Sequence, residues 1–557
     1  MKKLRHFVSI ATITSLALVG CSQVDDFTAN SDLTNNESNA VQFGTYMGRA
    51  KETRAITNVN YSKGAITTET LPEARFGVFA YSTGSTNYDP ASPTTEPNFM
   101  YNQEIQYDNV LKWVYSPVKY WPNGIDAGNT SGNPSNTAVE KTVQKLSFFA
   151  YAPYKAPSFF DASYANATDG ALPSGLADAT TKKSSTATNG ITAMTTNTFT
   201  GNVWVKYALP KATEQEAVDL LWGLNGKTTY NEADNSDPSV GTIGEAYNIN
   251  LTKQAVEATG TQKVQFLFKH ALAKIQGSSV TGTEKKLDEA SSKCGFSVKL
   301  DVDGNDGDNQ TTFFGADNGF NKAKTLVTIK SVKIQDGKTA SDDSENGLSS
   351  ATSDIYTSGW FNIETGNWDM AGATTGATIN INVQNNTTLD NAANNVYTLN
   401  PKIRENSVKN TTGVDWNPSA NSSTNGYTGG AEGVEVTAKP LFANEYVPGL
   451  MFIPGQTQTI YVTVDYIVRT ADANLSTGYS EVEQVITNKV TLPAASLGAN
   501  KIYKIIMHLG LTSVKFEAVV ADWQTNAGGS YDTDGHYSDD GSSANEDHVW
   551  LPSNVVE

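Results

Sequence analysis

Apolar and polar side chains alternate along the stretch Ile460-Tyr461-Val462-Thr463-Val464-Asp465-Tyr466-Ile467-Val468. Its even-numbered residues form an apolar face, and a period of two is the pattern of a β-strand with one buried side. At roughly 3.3 Å per residue, the run extends about 30 Å. The stretch therefore predicts a long strand in a sheet that covers a core.

Comparable runs recur throughout the chain, whereas helical patterns are sparse. The strand-like runs lie at 76–80, 146–151, 203–207, 264–275, 326–334, 378–383, 482–490, 502–511 and 514–523. The alternation changes phase at Ser331, which predicts a β-bulge, and the best helical candidates are 214–224 and 285–293. Because the runs are short and separated by turn residues, with no βαβ rhythm, the predicted fold is mainly β, built from antiparallel sandwiches.

The first residues have the pattern of a bacterial lipoprotein signal. A basic start is followed by the apolar run 7–19 and by Gly20-Cys21, and the polar residues after Cys21 argue against a membrane span. We expect residues 1–20 to be removed and Cys21 to become the lipidated first residue. Several acyl chains, such as palmitate, at roughly 0.8 kcal/mol per buried CH₂ give stable membrane anchoring. A plain secretory signal is the alternative.

A candidate processing site follows the signal. Residues 21–40 have the composition of a tether, and 41–47 alternate like a strand with Val41, Phe43, Thr45 and Met47 on one face. The segment behind them contains Arg49, Lys51 and Arg54 among residues with no reason for burial. An Arg-specific protease is therefore expected to cut after Arg49 or Arg54 and to detach the strand.

Composition restricts the function classes. The chain has 557 residues, 38% of them hydrophobic, enough for two or three globular domains. Its formal net charge is −18, and it becomes −21 once Lys2, Lys3 and Arg5 leave with the signal, which disfavours nucleic acid as a partner. With Cys21 lipidated, Cys294 is the one remaining cysteine, so no intrachain disulfide is expected.

The predicted organisation has two sandwiches. We expect an N-terminal one over 41–257, a C-terminal one over 258–523 and an acidic extension over 524–557, with the boundary near 254–260. Two polar tracts, 161–201 and 385–433, exceed usual loop lengths and are predicted to be surface insertions.

Catalytic and metal motifs are weak, so we predict no catalytic residue, cofactor or metal ligand. Residues Asp301 to Asp308 begin like a calcium loop but have Asp306 where Gly is needed and Thr312 where Glu is needed, which favours a turn and leaves calcium open. His270 and His508 stand in apolar strands and are expected to be hydrogen-bonded structural residues.

A series of short motifs resembles the fimbrillin family of Gram-negative anaerobes, lipoprotein precursors of surface fimbriae known as type V pili. The motifs lie, in order, at 53–55, 76–81, 113–122, 146–153, 219–223, 268–275, 451–455 and 519–523. The resemblance implies two transthyretin-like β-sandwiches, export to the outer membrane, cleavage after an Arg and assembly by strand exchange. It also implies other fimbrial subunits as partners and a role in adhesion to a host or bacterial surface receptor.

Physical reasoning supports strand exchange independently. Removal of 41–47 leaves an apolar groove and unpaired backbone groups that another strand can fill. The candidate donor is the C-terminal segment 549–556, with Val549, Leu551 and Val555 as its apolar side chains; Pro552 removes one ladder donor. This interface is heterologous and predicts head-to-tail polymers.

Two other function classes stay open from the sequence. A surface glycan-binding lipoprotein of the starch-utilisation type is the alternative, with sugars stacked on Trp113, Trp121, Trp360 or Trp368. Exposed rings favour that alternative, and buried rings favour packing. A glycosidase with paired carboxylates ranks third, although no pair is nominated by the sequence.

Overall fold

The computed structural model describes the following residues: 39–46, 61–67, 70–110, 112–122, 125–126, 141–142, 144–209, 217–225, 248–257, 263–275, 296–300, 325–335, 355–375, 380–382, 397–399, 439–440, 450–472, 474–476, 479–495, 497–510, 514–522, 547–551 and 553–555. The predicted signal, Cys21, Arg49, Arg54, Cys294, the 301–308 turn and the 285–293 helix lie outside these residues. Those expectations stay predictions.

The described residues form 29 strands and three short helices. The strands are β1 (Phe43–Tyr46), β2 (Phe76–Ser82), β3 (Met100–Asp108), β4 (Lys112–Val114), β5 (Ile125–Asp126), β6 (Lys141–Thr142), β7 (Leu146–Ala152), β8 (Ala162–Ser163), β9 (Thr181–Lys183), β10 (Gly190–Thr195), β11 (Trp204–Ala208), β12 (Leu221–Asn225), β13 (Asn248–Leu251), β14 (Val264–His270), β15 (Ala273–Ile275), β16 (Phe296–Leu300), β17 (Thr325–Gln335), β18 (Ser358–Asn362), β19 (Trp368–Asp369), β20 (Asn380–Asn382), β21 (Tyr397–Leu399), β22 (Lys439–Pro440), β23 (Leu450–Phe452), β24 (Gln458–Ala471), β25 (Tyr479–Leu492), β26 (Lys501–Leu509), β27 (Val514–Asp522), β28 (Asp547–Leu551) and β29 (Ser553–Val555). The helices are α1 (Leu71–Ala74), α2 (Asn166–Asp169) and α3 (Lys253–Glu257), and 3₁₀ turns lie at Pro157–Phe159 and Asp178–Thr180. The predicted mainly β class, with several antiparallel sheets, is confirmed.

The first sheet has the order β1-β14-β12-β7-β2-β3-β4, and β13 also pairs with β7. Its central strand, β7, is buried along its whole length because both of its faces cover a core. Leu146, Phe148 and Ala150 face one apolar cluster, whereas Phe149 and Tyr151 face another. The alternation of side chains along one strand thus supplies two cores.

The second sheet has the order β19-β18-β11-β10-β9-β8. Its residues Ile191, Val205 and Tyr207 share an apolar cluster with Phe149 and Tyr151 of the first sheet. The two sheets are therefore packed face to face.

The third and fourth sheets share a core of their own. The third has the order β22-β16-β26-β15-β23, with β27 on β26 and β28 on β27; the fourth has the order β20-β17-β24-β25-β29, with β21 on β17. The alternating stretch 460–468 lies in β24, and its side chains Ile460, Val462 and Val464 belong to the same apolar cluster as Tyr503 and Phe516 of the third sheet. The predicted bulge is confirmed, because the register of β17 against β24 shifts between Ile329 and Ser331.

Two local predictions were wrong. The helix predicted over 214–224 is contradicted at its end, because Leu221–Asn225 is strand β12, paired with both β7 and β14. The tract 161–201 is not a plain polar insertion, since β8, β9 and β10 belong to the second sheet and Ile191 is fully buried. In both cases long-range strand pairing overrides local composition.

Strand pairing also crosses the predicted domain boundary. Val264–His270 pairs within the first sheet, and Ser358–Asn362 pairs with Trp204–Ala208 in the second. Most of the other described strands after residue 272 lie in the third and fourth sheets. The division into two transthyretin-like sandwiches stays a prediction. No helix within the described ranges is long and apolar enough to cross a membrane.

Candidate functional site: the slot of the N-terminal strand

The N-terminal segment 39–46 is held on one edge through β1 and on the other through the residues just before it, 39–41. On one side β1 runs parallel to β14, with Phe43 opposite Val264, and the Val264 N–H donates to the Gln42 carbonyl at 2.8 Å. On the other side the Val41 N–H donates to the Lys119 carbonyl at 2.9 Å, and the Trp121 N–H donates to the Asn39 carbonyl at 2.9 Å. We call the space between 264–267 and 119–121 the N-terminal slot.

Side chains of the strand also fill a core. Phe43 is 1% exposed, and its ring centroid lies 5.5 Å from that of Tyr115, 5.9 Å from Phe148 and 5.8 Å from Phe266. Val41 is fully buried in the same cluster. Burial of each large apolar side chain contributes about 1.5–3 kcal/mol, so the strand is a component of the core rather than an appendage.

Two aromatic residues on the slot wall bind the strand through hydrogen bonds. The Tyr115 hydroxyl donates to the Val41 carbonyl at 2.8 Å and accepts from the Lys119 N–H at 3.2 Å. Burial raises the pKa of Tyr115 well above its ordinary value, so the hydroxyl stays a donor. The Trp113 indole N–H donates to the Thr45 hydroxyl oxygen at 2.8 Å. One contact therefore binds the backbone and the other binds a side chain.

A repeated sequence pattern indicates the hydrogen bond between the Tyr115 hydroxyl and the Lys119 N–H. The pattern Tyr-x-Pro-x-Lys occurs at 115–119 and again at 151–155. In both copies the tyrosine hydroxyl accepts from the lysine N–H four residues later, at 3.2 Å. No expectation from the sequence gave Tyr115 this function, although the repeated pattern lies in the sequence.

The segment that follows the predicted cleavage site is fixed by a buried bracket, defined as Asp219 and His270. Oδ2 of Asp219 lies 2.7 Å from Nδ1 of His270 and accepts from the Ile66 N–H at 2.8 Å. The Tyr61 hydroxyl accepts from the Asp219 N–H at 2.9 Å, and the Gly64 N–H donates to the Ala217 carbonyl at 2.6 Å. The prediction that His270 is a hydrogen-bonded structural residue is confirmed.

Strand β14 connects the slot with the bracket. Its residue Leu267 pairs with Tyr46, and its residue His270 belongs to the bracket that holds Ile66. The fourteen residues between Tyr46 and Tyr61, which include Arg49 and Arg54, thus connect two points fixed on one strand. A cut within them separates a strand on one side from a firmly attached segment on the other.

A second buried carboxylate connects the first two sheets. Glu364 follows β18 and accepts hydrogen bonds from the hydroxyls of Tyr81 and Tyr88, from Asn202 Nδ2 at 2.8 Å and from the Val203 N–H at 3.1 Å. Burial raises the pKa of Glu364, while these donors oppose the shift. No spacing in the sequence indicated this cluster.

The C-terminal segment is paired within its own chain. β28 lies antiparallel to β27 at the edge of the third sheet, and β29 lies antiparallel to β25 in the fourth. Val549 and Leu551 lie opposite Ala518 and Phe516, and Val555 lies opposite Asn488. The proposed donor residues are therefore strand residues, while their transfer to another subunit stays a prediction.

The aromatic residues proposed as a sugar platform lie in the interior. Trp113 and Trp121 are buried in the core of the first sheet, and Trp360 is fully buried. Trp368 is half-buried, and its Nε1 donates to the Ala271 carbonyl at 3.0 Å. By the criterion set from the sequence, the rings favour packing over sugar stacking.

Other chemistry is sparse in the described residues. His508 Nε2 lies 2.9 Å from Glu517 Oε2, as expected for a structural histidine. Within the part of the chain that the structure describes, no group of three or more His, Cys, Asp or Glu side chains is arranged to hold a metal ion.

Comparisons with known proteins identify fimbrial relatives. No family model matches the chain. Over 148 residues it is 30% identical to the fimbrium subunit Fim1C of Phocaeicola vulgatus. The aligned residues make up 26% of this chain and 30% of that protein. The match thus spans less than a third of the relative's length.

Two solved structures show weaker likenesses. A fimbrial protein from Bacteroides vulgatus aligns with a TM-score of 0.40 and 15% identity over 87% of this chain and 99% of that one. A candidate cell adhesion protein from Bacteroides uniformis aligns with a TM-score of 0.29 and 12% identity over 87% of this chain and 100% of that one. Both TM-scores are below 0.5, so neither likeness defines the fold. The sequence match to the fimbrium subunit confirms the resemblance to the fimbrillin family that the motifs indicated.

Proposed function

We propose that this chain is a structural subunit of cell-surface fimbriae that assembles by donor-strand exchange after proteolysis and serves adhesion. The observation that carries the proposal is the two-sided N-terminal slot, occupied by a strand that ends a few residues before Arg49 and Arg54. Departure of segment 39–46, which bonds to β14 on one side and to 119–121 on the other, leaves unpaired backbone groups and an open core.

The intact chain keeps the slot closed. A strand that is covalently attached has an effective concentration that a separate donor does not reach, so the uncut precursor stays monomeric. After a cut at Arg49 or Arg54, the strand diffuses away, while the Asp219–His270 bracket retains the segment from Tyr61 onward. The empty slot then accepts a strand from another subunit.

The donor is the C-terminal segment of a second copy, with Val549, Leu551 and Val555 as its apolar side chains. In its own subunit this segment forms β28 and β29, which are the last strands of their sheets. Its transfer to another subunit therefore removes no central strand. Because the donor and the slot are different surfaces of the subunit, their interface is heterologous and extends head to tail.

Membrane anchoring comes from the other end of the precursor. Lipid on Cys21 attaches the exported chain to the outer membrane, and cleavage after Arg49 or Arg54 releases it into the fimbrium. The partners are therefore other fimbrial subunits, the outer membrane before processing, and a host or bacterial surface receptor. We propose no catalytic activity and no cofactor.

Size measurements on the cut protein test the proposal. The purified precursor is treated with an Arg-specific protease and followed by gel filtration and by ladders that resist SDS. We expect slow polymer formation in the wild type and none in an Arg49→Ala/Arg54→Ala double mutant. Equal oligomerisation of the two, or a cut wild type that stays monomeric at high concentration, contradicts the proposal and favours the glycan-binding alternative.

A further inference from the structure

The contact between Trp113 and Thr45 differs in kind from the other hydrogen bonds of the slot. The Lys119 carbonyl and the Tyr115 hydroxyl bind backbone groups of the strand, which every sequence offers. The Trp113 indole N–H binds a side-chain hydroxyl. Because an indole N–H is a donor and never an acceptor, it requires an acceptor at position 45 of the strand.

The position of Trp113 makes this requirement selective. The side chain is 8% exposed and packs between Phe76, at a centroid distance of 4.9 Å, and Tyr107, at 5.1 Å. A strand with an apolar residue at position 45 removes the hydroxyl acceptor, and loss of one partner at a largely buried donor is more costly than loss of an exposed hydrogen bond. Val41 and Phe43 contribute apolar burial, whereas the residue at position 45 must supply a hydrogen-bond acceptor for Trp113.

We propose that Trp113 selects the strand that enters the N-terminal slot by a Ser or Thr hydroxyl placed four residues after the apolar residue that fills the position of Val41. This inference rests on the proposed function, since it concerns the strand that replaces β1. The occupant is the C-terminal strand of a second copy, in which Val549, Leu551 and Ser553 have the spacing of Val41, Phe43 and Thr45. The donor then runs in the direction of β1, parallel to β14.

This register also explains why the donor needs the slot to be vacated first. It places Pro552 at the position of Gly44, which lies opposite Gln265. Since the Val264 N–H donates to the Gln42 carbonyl, the next strand N–H that faces β14 is that of Gly44. A proline has no N–H to donate there, so the donor forms one ladder hydrogen bond fewer than the chain's own strand.

A peptide titration tests the selection. The full-length protein is cut with an Arg-specific protease, freed of the released strand by gel filtration, and titrated with fluorescein-labelled peptides of residues 545–557. The three peptides have the wild-type sequence, Ser553→Ala or Ser553→Thr. We expect Ser553→Ala to raise Kd about 2- to 13-fold, which corresponds to one hydrogen bond of about 0.5–1.5 kcal/mol, and Ser553→Thr to bind like the wild type.

A variant of Trp113, combined with the peptide variants, makes a double-mutant cycle. In Trp113→Phe protein, the Kd values of the wild-type and Ser553→Ala peptides should be equal within error, because the donor is gone. If the wild-type protein binds all three peptides equally, selection by Trp113 is wrong while the slot itself stands. If the cut protein binds none of them, the proposed function is wrong. The peptide series on wild-type protein decides the question even where Trp113→Phe folds poorly.

Discussion

Nδ1 of His270 lies 2.7 Å from Oδ2 of Asp219, and neither side chain is exposed to solvent. The pair sits where three separate parts of the chain meet, since Asp219 also accepts from the Ile66 N–H and the Leu220 N–H. A buried ion or hydrogen-bonded pair of this kind is costly to break from one side, because the remaining partner is left buried without its contact.

Removal of the Asp219 carboxylate should destabilise the protein strongly. We expect Asp219→Ala to lower the apparent free energy of unfolding by about 3–5 kcal/mol, measured by urea denaturation with tryptophan fluorescence. The matched control is Arg75→Ala, which breaks the half-exposed ion pair with Glu104 and should cost about 0–1 kcal/mol. Equal losses in the two variants would show that the bracket contributes no more than a surface pair.

The buried Glu364 should give the protein a specific pH dependence. Burial raises its pKa above the ordinary value, so the folded state favours the neutral carboxyl. Its contribution to stability is therefore complete below the ordinary pKa of about 4.5 and is lost as the pH rises through the raised pKa. Over that range the free energy of unfolding falls by at most about 1.4 kcal/mol per pH unit.

Glu364→Gln isolates this contribution, because the amide does not titrate. As the pH rises above about 4.5, we expect the unfolding free energy of the wild type to fall relative to that of Glu364→Gln. Glu257→Gln, which alters an i,i+4 surface pair with Lys253, is the control and should show a far smaller change. A wild-type to Glu364→Gln difference that stays constant with pH contradicts the assignment.

Truncation of Phe43 should loosen the N-terminal slot. Phe43→Ala removes a ring packed against Tyr115, Phe148 and Phe266, at a cost of about 3–5 kcal/mol. The amide hydrogens of Val264 and Phe266, which face β1, should then exchange about 100-fold faster or more in the uncut protein, as followed by mass spectrometry. Val110→Ala, which truncates a side chain that is 82% exposed, should change exchange little. Similar acceleration in both variants would indicate that the Phe43 ring does not hold the strand.

Anchoring should depend on the sulfur of Cys21. Since acylation requires this atom, Cys21→Ala should leave the protein unprocessed or soluble in the periplasm, as measured by membrane fractionation and metabolic labelling with a fatty acid. Cys294→Ala is the control and should fractionate like the wild type. Recovery of Cys21→Ala in the outer membrane at wild-type level refutes a lipid anchor at this residue.

The purified protein should lack hydrolase activity. We expect no release of reducing sugar from common polysaccharides above a blank, because no pair of carboxylates was nominated and the glycan platform residues are buried or half-buried. A saturable activity that persists through purification would overturn this prediction and place the chain in the third function class.

Much of the architecture was predictable because it depends on the pattern of neighbouring residues in the sequence. The period of two in 460–468 predicted strand β24, and the change of phase at Ser331 predicted the register shift against it. The apolar residues Val41 and Phe43 indicated a strand before the candidate cleavage segment, and the structure buries both. In each case the pattern of neighbouring residues is itself the physical cause of the structure.

Where composition and tertiary pairing conflict, local patterns were misleading. Residues 214–224 have helical composition, yet Leu221 and Leu224 form a central strand because β7 and β14 offer backbone partners on both sides. The polar tract 161–201 contributes three strands to a sheet because its few apolar side chains, such as Ile191, face a core supplied by distant residues.

The sequence by itself determined the β-rich fold class and the resemblance to fimbrial proteins, and it nominated Cys21, Arg49 and Arg54. Alternation and short linear motifs are properties of adjacent residues, so they can be read without a structure. Only the tertiary structure decided that segment 39–46 lies between β14 and residues 119–121, that Trp113 binds Thr45, and that Asp219 meets His270. Each of these contacts joins residues about fifty or more positions apart, and no local pattern specifies which distant backbone or side chain will complete a hydrogen bond.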